Sequence, residues 1–167
     1  MTAVTRSVDL AALYAAHRLS LVRMAVLLVD DLPSAEDVVQ DAFIAFHRAA
    51  GQLHDPEAAL GYLRASVING ARSMIRRRQV ARKYRYLGLQ PDQDAADTEA
   101  MLADEHQSLL RALRRLPDRQ REVLTLRYWS DLSEAQIAEA LGVSRGAVKS
   151  NASRGMHRLA ELLGVSL

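Results

Sequence analysis

Bases and hydroxyl groups that suit nucleic-acid recognition are concentrated near the C-terminus, in SRGAVKSNASRGMHRL at 144–159. Arginine and lysine bind phosphate oxygens and guanine edges, and serine hydroxyls bond to phosphates or to bases. On a helix, residues three and four apart lie on one face, so these side chains form a common outward surface. The spacing predicts a DNA-reading face made of Ser144, Arg145, Lys149, Ser150, Ser153 and Arg154.

The residues before and within this segment predict how the face is positioned. Ser133 is expected to cap a short helix with Gln136 at the capping-box position, and Gly142 supplies the left-handed backbone that ends it. Ser144 then caps a second helix that runs to about Leu163. A helix, a tight glycine-containing turn and another helix make a helix-turn-helix, whose second helix enters the major groove. An ordinary helical hairpin with a charged face is the alternative.

An aliphatic stripe in the same segment favours the helix-turn-helix. Apolar residues recur at helical spacing on the side opposite the bases, where they bury the angle between the two helices. The residues expected inside are Ile137, Leu141, Val143, Val148, Ala152, Met156 and Leu159. Because caps, turn, buried positions and basic face agree, we interpret the segment as DNA-binding.

The first half of the chain also shows helical spacing and no convincing alternating strand. One helix is predicted over about 9–29 and a second over about 34–51, with Ser34 as N-cap and Asp37 as its capping-box-like partner. Asp55 is expected to cap a third helix, because a proline follows it at the first helical position. Three helices of this length can close a small core.

Charge changes sign abruptly in the middle of the chain. RRRQVARKYR at 76–85 carries six bases and no acid, and DQDAADTEAMLADE at 92–105 carries six acids and no base. Gly88 and Pro91 mark the start of the acidic stretch as irregular chain. We therefore predict an all-α protein with two small helical domains, at 9–85 and 104–163, joined by an acidic linker at 86–103.

Two helices of the first half carry opposite polar faces. The helix at 35–48 exposes an acidic, partly apolar ridge suited to another protein, formed by Asp37, Gln40, Asp41 and Ile44. The next helix carries a row of bases suited to a phosphate backbone, formed by Arg64, Arg72, Arg76, Arg77 and Arg78. One domain with a protein-facing and a nucleic-acid-facing helix indicates part of a larger DNA-handling machine.

The composition argues against several other classes of protein. The chain has no cysteine, a net charge of +2 and 49% hydrophobic residues, which is normal for a folded protein in a reducing cytoplasm. The five histidines show no paired ligand spacing, so we expect no metal and no cofactor. We find no nucleophile elbow, no signal peptide and no apolar run long enough to cross a membrane. Trp129 is expected in the core or between domains.

Three segments together resemble a known family. AEDVVQDAFIAFHR (35–48), GYLRASVINGARSMIRRR (61–78) and LRRLPDRQREVLTLRYWSDLSEAQIAEALGVSRGAVKSNASRGMHRL (113–159) look like the extracytoplasmic function (ECF) group of the sigma-70 family. The first two match the family's region 2 and the third matches its region 4. The resemblance implies a non-enzymatic, cytoplasmic promoter-specificity subunit of bacterial RNA polymerase.

The family pattern assigns roles to the matched positions. Region 2 binds the clamp helices of the largest polymerase subunit, a role that falls on Asp37, Gln40, Asp41 and Ile44. Region 2 also captures the −10 strand, with a loop at 51–55 that receives a flipped base. The implied −10 residues are Gln52, His54, Tyr62, Arg64, Asn69, Arg72 and Arg76. Region 4 binds the flap of the second-largest subunit and places the face at 144–154 on the −35 element.

The match has departures. The family often has tryptophan where Tyr62 stands, aspartate where Ser73 stands and arginine where Asn151 stands. Asn69 matches a frequent asparagine of the family, and a buried structural amide is its alternative reading. An inhibitory anti-sigma protein is a further partner that the resemblance implies.

The main rival is a conventional helix-turn-helix regulator that binds DNA without polymerase. Such a regulator does not need an exposed acidic ridge on a helix of a separate domain. A nucleic-acid enzyme is a third class, but the sequence lacks an acid–base or metal constellation for it.

Overall fold

The computed structural model describes residues 8–49, 55–85 and 104–166. These ranges contain seven α-helices and no strand, which confirms the predicted all-α fold. The helices are α1 (Leu10–Val29), α2 (Leu32–Ala49), α3 (Pro56–Arg85), α4 (Asp104–Arg114), α5 (Asp118–Tyr128), α6 (Glu134–Leu141) and α7 (Arg145–Leu163).

Side-chain caps define the starts of α1 and α3. The Asp9 carboxylate accepts a hydrogen bond of 3.0 Å from the backbone N–H of Ala11. The Asp55 carboxylate accepts one of 3.2 Å from the N–H of Ala58, as the sequence predicts. Each cap satisfies an N–H group that has no partner within the helix.

The start of α2 differs from the prediction. Ser34 does not cap the helix but lies buried in its first turn, and its N–H donates to Asp31 Oδ1 over 2.8 Å. The helix begins two residues earlier than expected because Pro33 fits a first turn, where no N–H is needed. Burial favours a raised pKa for Asp31, but hydrogen bonds from Ser34 and Arg78 hold that pKa below its ordinary value.

The first three helices enclose an aliphatic core. Met24 of α1, Phe46 of α2 and Leu63 of α3 are among the largest fully buried side chains. Helices α2 and α3 approach closely at Gly70, where a Cβ atom would lie 3.1 Å from Val38 Cγ1. Close packing of α2 and α3 therefore sets the relative position of their polar faces.

Arg78 corrects the prediction of an outward row of bases on α3. Its guanidinium donates to the carbonyl of Val29 over 3.1 Å, to Asp31 Oδ2 over 2.9 Å and to Ser34 Oγ. The side chain therefore joins the end of α3 to the turn between α1 and α2. It does not extend from the protein toward a phosphate backbone.

The last three helices form the predicted helix-turn-helix. Ser133 and Gln136 form the capping box of α6, and Gly142 ends that helix with φ 64°. Ser144 Oγ accepts from the N–H of Ala147 over 3.1 Å and caps α7, which ends at Leu163. Helix α5 begins at Asp118, and the N-cap position is the preceding proline.

The two groups of helices pack against each other. Helix α1 contacts α4 and α5, and α3 contacts α6. Leu27 of α1 packs with Leu113, Leu116 and Leu124 of the second group. The predicted linker at 86–103 lies outside the described residues, so the domain boundaries stay a prediction.

Helix α1 is long and apolar enough to cross a membrane by length and composition. It is the single such helix in the described ranges, and 44% of its apolar window is buried inside the fold. Leu21, Met24 and Leu28 pack into the core that α1 forms with α2 and α3. Its apolar composition is therefore explained by its central position among the other helices.

Trp129 is not in the core. It follows α5 and is 49% exposed, beside Tyr128 at 58%. The prediction of a core position is therefore wrong, and a position between domains stays a prediction.

Candidate nucleic-acid and protein interfaces

The outward face of α7 has the side chains that the sequence predicts. Arg145, Lys149 and Ser153 are exposed, whereas Val148 of the same helix is fully buried. Arg154 is exposed and donates to Ser150 Oγ over 2.8 Å, so these two side chains are already paired on the surface. The face joins three cationic groups to hydroxyls at the start of a helix, where backbone N–H groups also attract anions.

Two polar side chains near this face are used by the helix itself. Ser144 Oγ is the N-cap acceptor described above. Asn151 Nδ2 donates to the carbonyl of Ala147 over 2.8 Å and is half-buried. Ser144 therefore orients α7, and Asn151 is not free to reach DNA in this conformation.

The acidic ridge on α2 is present at the surface. Asp37, Gln40, Asp41 and Ile44 are all exposed, with Ile44 at 42%. Their spacing of three and four residues puts them on one face, above the buried side of α2. Two carboxylates, an amide and an exposed isoleucine can bind a protein surface that is both basic and apolar.

Three of the predicted −10 residues share one face of α3. Tyr62 is half-buried and packs its ring against Phe46, with 5.9 Å between ring centroids. Asn69 and Arg76 are exposed on the same side of the helix. Exposure of Asn69 rules out its alternative reading as a buried structural amide.

Arg64 does not belong to that face. At 100° per residue it lies about 160° around α3 from Tyr62. It is half-buried, and burial lowers the pKa of its guanidinium although Glu57 opposes that shift. The structure therefore does not bring Arg64 together with the other predicted −10 residues.

Arg72 lies beside the Tyr62 face but its guanidinium is occupied. Its Nε and Nη2 donate to the two carboxylate oxygens of Glu122 on α5, over 2.5 and 2.8 Å. Hydrogen bonding to Glu122 raises the pKa of Arg72, against the opposing effect of burial. Arg119 also reaches Glu122 over 3.2 Å. Sequence reasoning missed Glu122, since no local signal connects two residues 50 positions apart.

A cleft of about 280 Å³ lies at this junction between α3 and α5. Its polar lining includes Arg72, Arg76, Arg119, Arg121 and Glu122. Within the ranges that the structure covers, no group of three His, Asp or Glu side chains is placed to hold a metal ion. Gln52 and His54 lie outside the described residues, so the predicted flipped-base loop is not placed.

Comparison with known proteins identifies the family to which a chain with these surfaces belongs. Residues 13–81 match the family model described as Sigma-70 region 2, and residues 106–159 match Sigma-70, region 4. The ECF sigma factor SigM of Mycobacterium tuberculosis is 34% identical over 152 residues, covering 91% of this chain and 76% of SigM. This chain belongs to the ECF group of the sigma-70 family. It is an RNA polymerase sigma factor that directs promoter-specific transcription, as the motifs predict.

Other relatives agree with this assignment. The RNA polymerase sigma-E factor of Streptomyces coelicolor is 34% identical over 145 residues, covering 86% of this chain and 80% of the relative. The sigma factor RpoE in complex with the anti-sigma factor NepR from Bartonella quintana has a TM-score of 0.75 at 26% identity, covering 95% and 96% of the two chains. CnrH, in complex with the cytosolic domain of CnrY, has a TM-score of 0.69 at 26% identity, covering 93% and 87%.

Proposed function

We propose that this sigma factor divides its work among three surfaces. The α2 ridge docks on the clamp helices of the largest polymerase subunit. The outward face of α3, with the loop at 51–55, holds the −10 strand. The outward face of α7 binds the −35 element, and the helices around it meet the flap of the second-largest subunit. The observation that carries this proposal is the joint exposure of the α2 ridge and the α7 face.

Strand capture requires binding energy rather than catalytic groups. Extruding one base costs a few kcal/mol of stacking and pairing. A cationic groove along the strand and a pocket for the base offset that cost. Asn69 and Arg76 are exposed for such contacts, and nucleotide addition belongs to the polymerase. The chain therefore acts as an initiation factor without chemistry of its own.

Charge reversal on α2 tests the docking surface. Asp41 is exposed, so Asp41→Lys should leave the fold intact while it places a like charge against the basic partner. We expect at least about a tenfold loss of affinity for core polymerase, since one mispaired interfacial charge costs more than about 1.4 kcal/mol. The measurement is binding of the purified full chain to core enzyme.

Glu161→Lys is the matched control for Asp41→Lys. Glu161 is an exposed acid in the last turn of α7, where a cation is also favourable to the helix dipole. The two variants have the same net charge, so only the position of the change differs. Equal affinity of both variants for core polymerase would show that α2 is not the docking surface.

In vitro transcription separates this proposal from a conventional helix-turn-helix regulator. Core polymerase supplied with the chain should initiate at discrete promoters that core alone does not use. A regulator would instead bind duplex DNA tightly by itself and show no association with polymerase. The exposed acidic ridge favours the sigma mechanism, since a regulator has no comparable use for it.

We also propose that an anti-sigma protein regulates this chain in the cytoplasm, where core polymerase acts. One structural relative, RpoE, was solved in complex with the anti-sigma factor NepR, and another, CnrH, was solved in complex with the cytosolic domain of CnrY. Titration of the transcription assay with candidate inhibitors is the test. Loss of initiation at one inhibitor per sigma factor supports the proposal, and initiation undiminished by every candidate contradicts it.

A further inference from the structure

The Arg72–Glu122 pair joins a strand-binding helix to the promoter-binding half of the chain. Glu122 has a side chain that is 7% exposed, and it receives two parallel hydrogen bonds from the Arg72 guanidinium. Arginine binds a phosphate in the same two-pronged geometry. The carboxylate thus occupies the donors that a DNA phosphate would use.

We propose that Glu122 is an internal competitor of the promoter strand, holding Arg72 and keeping the two groups of helices closed until DNA replaces it. This inference rests on the proposed assignment of Arg72 to the −10 strand. The α2 ridge stays exposed in the closed arrangement, so polymerase docking precedes release of Arg72. The device delays strand binding until the chain is on the enzyme.

A second set of polar contacts closes the same junction at α1. Arg114 Nη2 donates to the carbonyl of Asp30 over 2.7 Å, and Arg121 Nη1 lies 3.5 Å from the Asp30 carboxylate. Ser130 Oγ lies 3.2 Å from Met24 Sδ. These contacts join α1 to the second group of helices without using a predicted DNA-binding side chain. The competition with DNA is therefore specific to Arg72 and Glu122.

Glu122 is sensitive to substitution because it is buried. Removing one partner of a buried ion pair leaves the other charge uncompensated, which costs more than the intact pair contributes. In Glu122→Gln the closed state must hold the Arg72 guanidinium without its hydrogen-bonded carboxylate, and Asp118 is left as a weaker charge partner. The open state exposes that guanidinium to water, so the substitution shifts the equilibrium toward opening.

Single-stranded DNA binding measures the release of Arg72. We expect full-length Glu122→Gln to bind a labelled 15-nucleotide oligo-dT about tenfold more tightly than the native chain, because apparent affinity scales with the open fraction. Glu161→Gln is the matched control, since it removes the same charge from an exposed position, and its affinity should equal that of the native chain. Adding Arg72→Ala to Glu122→Gln should abolish the gain.

Distance labelling measures closure directly. The chain has no cysteine, so Ala58→Cys on α3 and Ala135→Cys on α6, both exposed, provide two unique label sites. We expect a longer or broader label distance in Glu122→Gln and in Arg72→Gln. The swap of Arg72→Glu with Glu122→Arg should restore the native distance, because it restores the pair.

The outcome that overturns the inference is a native label distance in both Glu122→Gln and Arg72→Gln, together with native oligo-dT affinity in Glu122→Gln. Two variants that remove opposite partners keep the test valid if one fails to fold. Promoter-specific initiation by the native chain together with that outcome would reject the competitor and keep the proposed function. Absence of initiation with core polymerase would reject the proposed function itself.

Discussion

Replacing Arg78 tests whether a base in the apparent DNA-facing row is structural. Its side chain is 42% exposed, and its guanidinium bonds to the carbonyl of Val29, to Asp31 and to buried Ser34. Arg78→Ala removes one ion pair and leaves the Ser34 hydroxyl and the Val29 carbonyl short of a donor. Each such loss costs about 1–3 kcal/mol when fully buried. Because the Arg78 side chain is partly exposed, we discount these costs and expect Arg78→Ala to lower the free energy of unfolding by about 2 kcal/mol in total.

The assay is equilibrium unfolding in urea at neutral pH. Arg77→Ala is the control, because Arg77 is exposed and bonds to the carbonyl of Ser73 in its own helix. We expect the control to change the free energy of unfolding by less than about 0.5 kcal/mol. We also expect the salt dependence of DNA binding to be unchanged in Arg78→Ala, since Arg78 does not face a phosphate.

The destabilisation should depend on pH. The pKa of Asp31 lies below its ordinary value in the folded chain, so the carboxylate contributes stability above about pH 4 and loses it as the pH falls further. The difference between native chain and Arg78→Ala should therefore narrow in acid. Equal unfolding free energies of the Arg78 and Arg77 variants at pH 7 would refute the reasoning.

Two further substitutions test the helix-turn-helix. Arg154→Ala should weaken binding to −35 duplex DNA modestly. The slope of log K against log salt should become shallower by about 1, the amount expected for one lost phosphate contact. An unchanged slope in a salt titration would show that Arg154 does not contact a phosphate. Gly142→Ala should lower the free energy of unfolding by about 1–2 kcal/mol in urea, because φ is 64° at this position and a side chain strains the backbone there. No steric clash adds to this cost, since no atom lies within 4 Å of the added Cβ. A neutral result would show that the turn relaxes to another backbone conformation.

The sequence by itself determined the features that depend on neighbours within about four residues. The Ser133 capping box, the left-handed Gly142 and the Ser144 cap all involve such local bonds, so spacing sufficed to predict them. The exposure of Asp41 and Arg145 also follows from the helical period, because the apolar residues of each helix face the core and leave these polar residues at the surface. The family motifs then connected these local features to a function.

Only the tertiary structure decided what the long, charged side chains contact. Arg78 and Arg76 look equivalent in the sequence, yet Arg78 is anchored 47 residues away at Asp31 and Arg76 is exposed. Arg72 pairs with Glu122 across the junction of the two helix groups. An arginine has enough rotatable bonds to reach several directions, so the packing of distant helices selects its partner. The spacing of residues along one helix therefore cannot predict which distant group an arginine contacts.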